Sequence, residues 1–283
     1  MKRILIPTDF SPNSKNAIRY ALDLFQDTSC QFYILHVNVE GSDFVEKPAY
    51  ELGTNVLVKK EHKSINKKIK DLEKFISSIS SKRKHHNFTT IREYGTFLNS
   101  IRKQILEKQI DLIVMGTHGA SELKEFFTGT RSGDVITKVE ADVLVIPDKA
   151  KYEGFEKLVF PIDFEITYND TILKKAANLI SSQKTQIKLL YVTKSHIPLF
   201  EEIEQRQKSL VERLSKLLPN PISFQRVASR KIEDGVRIFA ESINADLIIM
   251  ISKDYGLFQK WFLDTAVEEV SFETSIPLLS LQG

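Results

Sequence analysis

The chain has 283 residues, of which 42% are hydrophobic and 27% charged, as in soluble globular proteins. Its length suits two ordinary domains, and no run approaches the roughly 18 apolar residues of a membrane span. The start, MKRILIPTDF, lacks the pattern of a signal peptide, and the single cysteine, Cys30, excludes an intrachain disulfide framework and a cysteine zinc cluster. We therefore expect a cytoplasmic protein without a membrane partner.

The first elements alternate between strand and helix. RILIP is a short apolar run that ends at a proline, which predicts a buried strand. PTDFSPNS then predicts a polar turn in which Ser11 or Asn13 caps a helix. YILHV predicts the second strand, and a long loop follows it.

The segment from Lys59 to Lys84 has ten Lys or Arg against three acids. Such a run could contact nucleic acid or anionic lipid. It could also be the solvated face of an amphipathic helix, and its apolar residues keep helical spacing. These residues are Ile65, Ile69, Leu72, Phe75, Ile76 and Ile79. We favour the helix and expect no nucleic acid partner.

The remaining elements of this half continue the alternation. FTTIREYG predicts a third strand and Leu98 to Lys108 a third helix. DLIVM predicts the fourth strand, Gly129 to Val139 the fourth helix, and DVLVIP the fifth strand. Strands that are apolar on both faces and alternate with helices predict a parallel sheet that is covered by helices on both faces.

The whole pattern occurs twice. Pro7 and Asp9 recur 154 positions later as Pro161 and Asp163, and DLIVM recurs as DLIIM at 246–250. A repeat of this length indicates a duplicated domain. We place the domains at 1–150 and 151–283, with a polar boundary at 148–157. Since each copy ends in an apolar strand, we predict that the two fifth strands pack against each other.

Glycines gather after the fourth strand, in GTHGASELKEFFTGT at 116–130. They could simply end a strand and cap a helix, or they could let the backbone approach a ligand. The spacing G-x2-G-x9-G-T directly after a buried strand, together with PTDF at the carboxyl end of the first strand, resembles the universal stress protein family in its tandem form. The resemblance implies two Rossmann-like α/β domains of the adenine nucleotide alpha hydrolase type, each with a five-stranded parallel sheet.

The resemblance also implies that the first domain binds ATP or a related adenine nucleotide, with or without magnesium. Pro7, Thr8 and Asp9 match the family's turn after the first strand, where the acid lies by the ribose. Asp9 could also act through a metal-held water. Val37 matches the residue whose backbone meets the adenine, and Met115 matches a residue that lines the nucleoside.

The glycine segment matches the rest of the family's site. Gly116 corresponds to a nucleoside contact, and Gly119, Gly129 and Thr130 correspond to phosphate contacts. Glycine suits this role because backbone N–H groups reach phosphate oxygens most easily where no Cβ intervenes, and a helix N-terminus favours an anion. Arg131 could supply a cation or simply lie on the surface.

We assign no catalytic residue and no metal ligand from the sequence. No second acid or base is visibly paired with Asp9, and the adjacent His85 and His86 lack the ligand number of a metal site. His118, inside the glycine segment, receives no chemical role. We expect at most slow ATP hydrolysis.

The second copy has lost the glycines at the same spacing. Gly116, Gly119 and Gly129 correspond to Ile251, Asp254 and Asp264, while Thr130 is kept as Thr265. Carboxylates repel a triphosphate, and an isoleucine side chain obstructs a nucleoside. We therefore predict that the second domain keeps the fold without the site and pairs with the first domain.

Three functions follow as alternatives: a nucleotide-binding stress or regulatory protein, an ATP-consuming enzyme such as a phosphotransferase, or a nucleotide-free interaction scaffold. The enzyme is disfavoured because neither a Walker motif nor an arginine cluster occurs. Association of two chains into a homodimer is left open.

Overall fold

The computed structural model describes residues 1–38, 54–80, 85–117, 131–164, 168, 170–177, 184–193, 201–251 and 275–282, with side chains of the long second helix from residue 64 onward. The first half contains β1 (Lys2–Pro7), α1 (Pro12–Leu24), β2 (Cys30–Asn38), α2 (Thr54–Ser80), β3 (His86–Tyr94), α3 (Phe97–Lys108), β4 (Leu112–Gly116), α4 (Arg131–Lys138) and β5 (Val143–Ile146). The second half contains β6 (Lys157–Pro161), α5 (Asp170–Ala177), β7 (Gln186–Thr193), α6 (Glu201–Leu217), β8 (Ile222–Ala228), α7 (Ile232–Ser242), β9 (Leu247–Ile251) and β10 (Leu278–Leu281).

All ten of these strands form one sheet, in the order β3-β2-β1-β4-β5-β10-β9-β6-β7-β8. Neighbouring strands run parallel within each half. The order in the second half mirrors that in the first, strand for strand. The predicted α/β fold with parallel sheets is confirmed.

Alternate residues along the strands pack into two separate hydrophobic cores, one on each face of the sheet. Ile4 and Ile6 of β1 pack on one face with helices α1, α2, α5 and α6, whereas Leu5 packs on the other face with α3, α4 and α7. Burial on both faces explains why the strands read as continuous apolar runs. Each core contains residues from both halves and continues across their junction.

An aspartate before the fourth strand has the same structural task in both repeats. Asp111 accepts a hydrogen bond from the Arg3 backbone N–H at 2.7 Å, and its own N–H donates to the Arg3 carbonyl at 2.8 Å. Asp246 does the same with Lys157, at 2.8 and 2.9 Å. The aspartates of DLIVM and DLIIM therefore hold the start of β4 against β1 and the start of β9 against β6.

The two halves join through their fifth strands, as predicted. β5 and β10 pair antiparallel, with Val145 opposite Leu278. A polar cluster closes the end of this seam. The Asp142 carboxylate accepts hydrogen bonds from Lys175 Nζ at 3.0 Å and from the Gln282 backbone N–H at 2.8 Å.

The segment between the halves packs against α1. The Asn16 amide donates to the Pro147 and Ala150 carbonyls at 3.1 and 2.9 Å. The Tyr152 ring lies edge-on between Tyr20 and Phe155, with ring centroids 5.6 and 5.1 Å apart. The polar boundary predicted from the sequence is therefore a packed connection.

The lysine-rich segment forms the predicted amphipathic helix as far as Ser80. Leu72 and Ile76 are buried against the core, whereas Lys67, Lys68 and Lys70 are exposed. Across the described ranges, no helix combines the length and the apolar character needed to cross a membrane.

Candidate functional site

A cleft opens where β1, β2 and β4 end in the first repeat. The lining residues come from these strand ends and from three nearby helices: Pro7, Thr8, Asp9, Ser14, His36, Val37, Phe97, Met115, Gly116, Thr117 and Arg131. Its empty space is about 550 Å³, including solvent at the open mouth. In parallel α/β sheets, ligands bind beyond the carboxyl ends of the strands.

Thr8 is held at three of its atoms. Its N–H donates to the Leu35 carbonyl at 2.8 Å, and its carbonyl accepts a hydrogen bond from His36 Nδ1 at 2.9 Å. Its hydroxyl lies 2.9 Å from the Ser14 hydroxyl and accepts a hydrogen bond from the Phe10 N–H at 3.0 Å. The turn after β1 is thus fixed by the strand beside it and by the helix after it.

Asp9 lies between Thr8 and the helix cap. One oxygen of its carboxylate accepts a hydrogen bond from the Ser11 N–H at 3.0 Å. Ser11 is the N-cap of α1, since its hydroxyl accepts a hydrogen bond from the Ser14 N–H at 3.1 Å, and Pro12 takes the first helical position. Of the two predicted caps Ser11 is the observed one, and Asn13 lies inside the helix.

Gly116 lines the cleft, but its lack of a Cβ has a further reason. A Cβ at this position would lie 2.2 Å from Asn13 Oδ1 and 2.6 Å from Asn13 Cγ. Asn13 is 7% exposed, and its amide donates to the Thr117 hydroxyl at 3.3 Å. The glycine therefore makes room for a buried contact between α1 and β4. Gly116 thus has a packing role and also lines the cleft.

Arg131 begins α4 and reaches the cleft beside Phe97. Its guanidinium carbon lies 5.6 Å from the centre of the Phe97 ring. The next residue, Ser132, donates a hydrogen bond from its hydroxyl to the Thr117 carbonyl at 3.3 Å. The start of α4 is thereby tied to the end of β4.

His36 is a half-buried imidazole on the cleft wall. Burial lowers its pKa, and the positive charges of Arg92 and Lys68 act in the same direction. The hydrogen bond to the Thr8 carbonyl and the charge of Asp9 oppose this shift. With a pKa below its ordinary value, the ring is mostly neutral at pH 7.

Seven of the ten residues predicted for the site line this cleft together: Pro7, Thr8, Asp9, Val37, Met115, Gly116 and Arg131. Gly119, Gly129 and Thr130 lie outside the described residues, as does His118. Sequence reasoning missed Ser14, His36, Phe97 and Thr117. The histidine in the apolar run FYILHV was the available signal, because a polar residue at the end of a buried strand faces the sheet edge where ligands bind.

Magnesium would find one carboxylate, that of Asp9, among the lining residues. Within the described part of the chain, no group of three or more His, Cys, Asp or Glu residues could hold a metal ion. A cation here would therefore need ligands from a bound phosphate or from water.

The model of the universal stress protein family matches residues 1–147. The chain belongs to this family. Among curated relatives, universal stress protein MJ0531 of Methanocaldococcus jannaschii is 31% identical over 153 residues, which cover 53% of this chain and 84% of the relative. Universal stress protein MJ0577 of the same organism is 27% identical over 156 residues, covering 52% of this chain and 96% of the relative.

The architecture of the whole chain also occurs in a solved universal stress protein. The crystal structure of a universal stress protein from Archaeoglobus fulgidus covers 99% of this chain and 96% of its own, with a TM-score of 0.72 and 17% identity. At this identity the likeness concerns the fold. The family resemblance read from the glycine spacing and PTDF is confirmed.

The turn beside the cleft of the first repeat has a different counterpart in the second. Tyr168 stands where the first repeat has Ser14, and its hydroxyl accepts a hydrogen bond from the Asp163 N–H at 2.7 Å. Arg206 of α6 donates to the Phe164 carbonyl. Ile251, at the position of Gly116, is buried at 6% exposure. Asp254, Asp264 and Thr265 lie outside the described residues.

Proposed function

We propose that this universal stress protein binds ATP, or a related adenine nucleotide, in the cleft of its first repeat and acts as a nucleotide-binding regulatory protein in a stress response. The carrying observation is that seven residues selected by sequence reasoning line one cleft at the carboxyl ends of β1, β2 and β4. The second repeat, in this proposal, is a partner that binds no nucleotide.

The chemistry of the lining residues suits a nucleoside. The Asp9 carboxylate can accept hydrogen bonds from ribose hydroxyls, and the backbone of Val37 can pair with the adenine edge. Met115 supplies an apolar, polarizable wall for a base or sugar. Met115 is 5% exposed, so packing within the fold holds its side chain in place.

The phosphates would lie toward the start of α4. A helix N-terminus presents N–H groups and a partial positive charge, and Arg131 adds a full one. We propose Gly119, Gly129 and Thr130 as further phosphate contacts from the segment between β4 and α4. Magnesium, where present, would be held by phosphate oxygens and water, with Asp9 as the carboxylate nearby.

The test counts and identifies the nucleotide. We expect calorimetric titration with ATP and magnesium to give one site per chain, and the protein as purified to retain adenine nucleotide. Two equivalent sites, or none, would contradict the proposal. Turnover far above background would favour an ATP-consuming enzyme, and absence of binding would favour the interaction scaffold.

The repeat supplies a matched pair of variants. Asp9→Asn removes the charge that would meet the ribose or a metal-held water, and we expect ATP to bind roughly tenfold more weakly, as is typical when a charged hydrogen-bond acceptor is lost. Asp163→Asn makes the same change in the second repeat and should leave the affinity unchanged. An unchanged affinity of Asp9→Asn, or an equal loss in Asp163→Asn, would contradict binding in the first cleft alone.

A further inference from the structure

His36 supports the turn after β1 through its side chain. Its Nδ1 lies 2.9 Å from the Thr8 carbonyl oxygen. A carbonyl oxygen only accepts, so Nδ1 must carry the hydrogen, and in the neutral ring Nε2 is then left without one. This bond fixes the carbonyl that directly precedes Asp9.

The ring of His36 is also held by packing. Its centroid lies 4.4 Å from that of Phe10, and Lys68 of α2 lies 5.8 Å from the centre of the Phe10 ring. Phe10 has a φ of 69°, a left-handed conformation that costs free energy for a residue with a Cβ and persists only where surrounding contacts impose it. The imidazole therefore braces a strained turn from the side of β2.

The second repeat keeps the packing and changes the donor. Tyr191 stands at the position of His36, and its ring lies 4.9 Å from that of Phe164. The backbone hydrogen bond is also kept, from the Ile162 N–H to the Leu190 carbonyl at 2.9 Å. A phenol carries its hydroxyl at the far end of the ring and has no N–H next to the ring attachment, so the side-chain donor at this position belongs to the first repeat.

We propose that His36 is a positioning residue for nucleotide binding: by donating Nδ1–H to the Thr8 carbonyl, it sets the Asp9 backbone and carboxylate for the ribose. This inference rests on the proposed function of the cleft. The surroundings of the ring favour the neutral donor, first through burial and then through the positive charges of Arg92 and Lys68, against the hydrogen bond to Thr8 and the negative charge of Asp9.

Three substitutions separate the hydrogen bond from the packing. His36→Asn keeps an N–H donor at nearly the position of Nδ1 and cannot titrate. His36→Phe keeps a ring against Phe10 without a donor, and His36→Tyr installs the residue of the second repeat. By calorimetry at pH 7.5, we expect ATP to bind about five- to tenfold more weakly to the Phe and Tyr variants and within about twofold of wild type to the Asn variant.

Two further readouts keep the result specific. Urea unfolding measures the stability of each variant. If the role of His36 were purely structural, the variants would differ in stability, but ATP affinity would not differ between His36→Asn and His36→Phe. Nitrogen-15 NMR of the histidine ring in the wild-type protein should show the hydrogen on Nδ1. If His36→Phe does not fold, the Tyr variant carries the comparison, since a tyrosine packs at this position in the second repeat.

The inference is overturned if the Phe and Tyr variants bind ATP as wild type does, if Asn binds no better than Phe, or if the ring hydrogen lies on Nε2. A wild-type protein that fails to bind ATP would instead overturn the proposed function. The NMR result would still decide whether the hydrogen bond exists.

Discussion

The two repeats place PTDF and PIDF directly after their first strands and stabilise these segments with different side chains. In the first repeat, small hydroxyls and an imidazole brace the turn, and a cleft opens beside it. In the second, a tyrosine hydroxyl accepts from the Asp163 N–H and an arginine donates to the Phe164 carbonyl. A tyrosine, Tyr168, thus stands in the second repeat where the first has the small Ser14. The same sheet topology therefore accommodates both sets of side chains.

Separating the two repeats should change the behaviour of the protein the most. Residues 1–150 expressed alone would expose β5, whose four residues are all buried in the full chain. An unpaired apolar edge strand pairs with any available copy, so we expect this fragment to dimerise or to become poorly soluble. Sedimentation velocity at several concentrations measures this, with the full chain as the control. A fragment that sediments as a well-behaved monomer would show that the edge needs no partner.

Gly119→Asp copies into the first repeat what the second has at Asp254. We expect ATP affinity to fall by at least ~2 kcal/mol, about thirtyfold, from lost N–H contacts and from repulsion of the phosphates. Calorimetric titration measures the loss, and circular dichroism checks that the protein is folded.

The reverse change, Asp254→Gly, is the matched control and should leave ATP affinity as it was. A folded Gly119→Asp protein with unchanged affinity would mean that the phosphates lie elsewhere.

Gly116→Ala tests the packing reason for a glycine at the cleft. Because the added Cβ would lie 2.2 Å from Asn13 Oδ1, we expect the free energy of unfolding to fall by about 1–3 kcal/mol. In an Asn13→Ala background the same change should cost much less, since the obstructing amide is gone. A double-mutant cycle by urea unfolding measures this coupling. Additive costs would show that Asn13 is not the obstacle.

The stability of the protein should depend weakly on acid pH through His36. The folded-state pKa of His36 is lowered, first by burial, so the unfolded chain takes up a proton at this residue more readily. The contribution of His36 to stability is therefore complete above about pH 6.5, its ordinary pKa, and is lost as the pH falls through the lower folded value. His36→Asn should lose less stability than wild type between pH 8 and pH 5, as measured by urea unfolding. Parallel losses in the two proteins would contradict the shift.

The sequence predicted the architecture well because each strand is apolar on both faces and each turn contains its own signals. The parallel sheet within each half and the pairing of the fifth strands were both predicted from such patterns. The third strand was predicted at 88–95 and spans His86–Tyr94, since ladder pairing with β2 extends beyond the apolar run.

Side-chain contacts between distant segments were not predictable in the same way. The contact of Asn13 with Gly116 joins residues about 100 positions apart, and nothing in PTDFSPNS marks that asparagine as buried. His36 was passed over because one polar residue at a strand end has no period or spacing. Its position at the end of an apolar strand was a weak signal, which becomes clear once the sheet brings three strand ends to one edge.

The seam between the repeats has a consequence for synthesis. β5 is complete at residue 146, and its partner β10 lies about 130 residues further along the chain. At translation rates of ~5–20 residues per second, the two strands emerge roughly 7–26 s apart. During that interval the first repeat can fold while its β5 edge is still unpaired, because β10 has not yet been synthesised. When several ribosomes translate one messenger RNA, neighbouring nascent chains expose the same β5 edge at the same time. Pairing between chains then competes with the native pairing until β10 has left the ribosome.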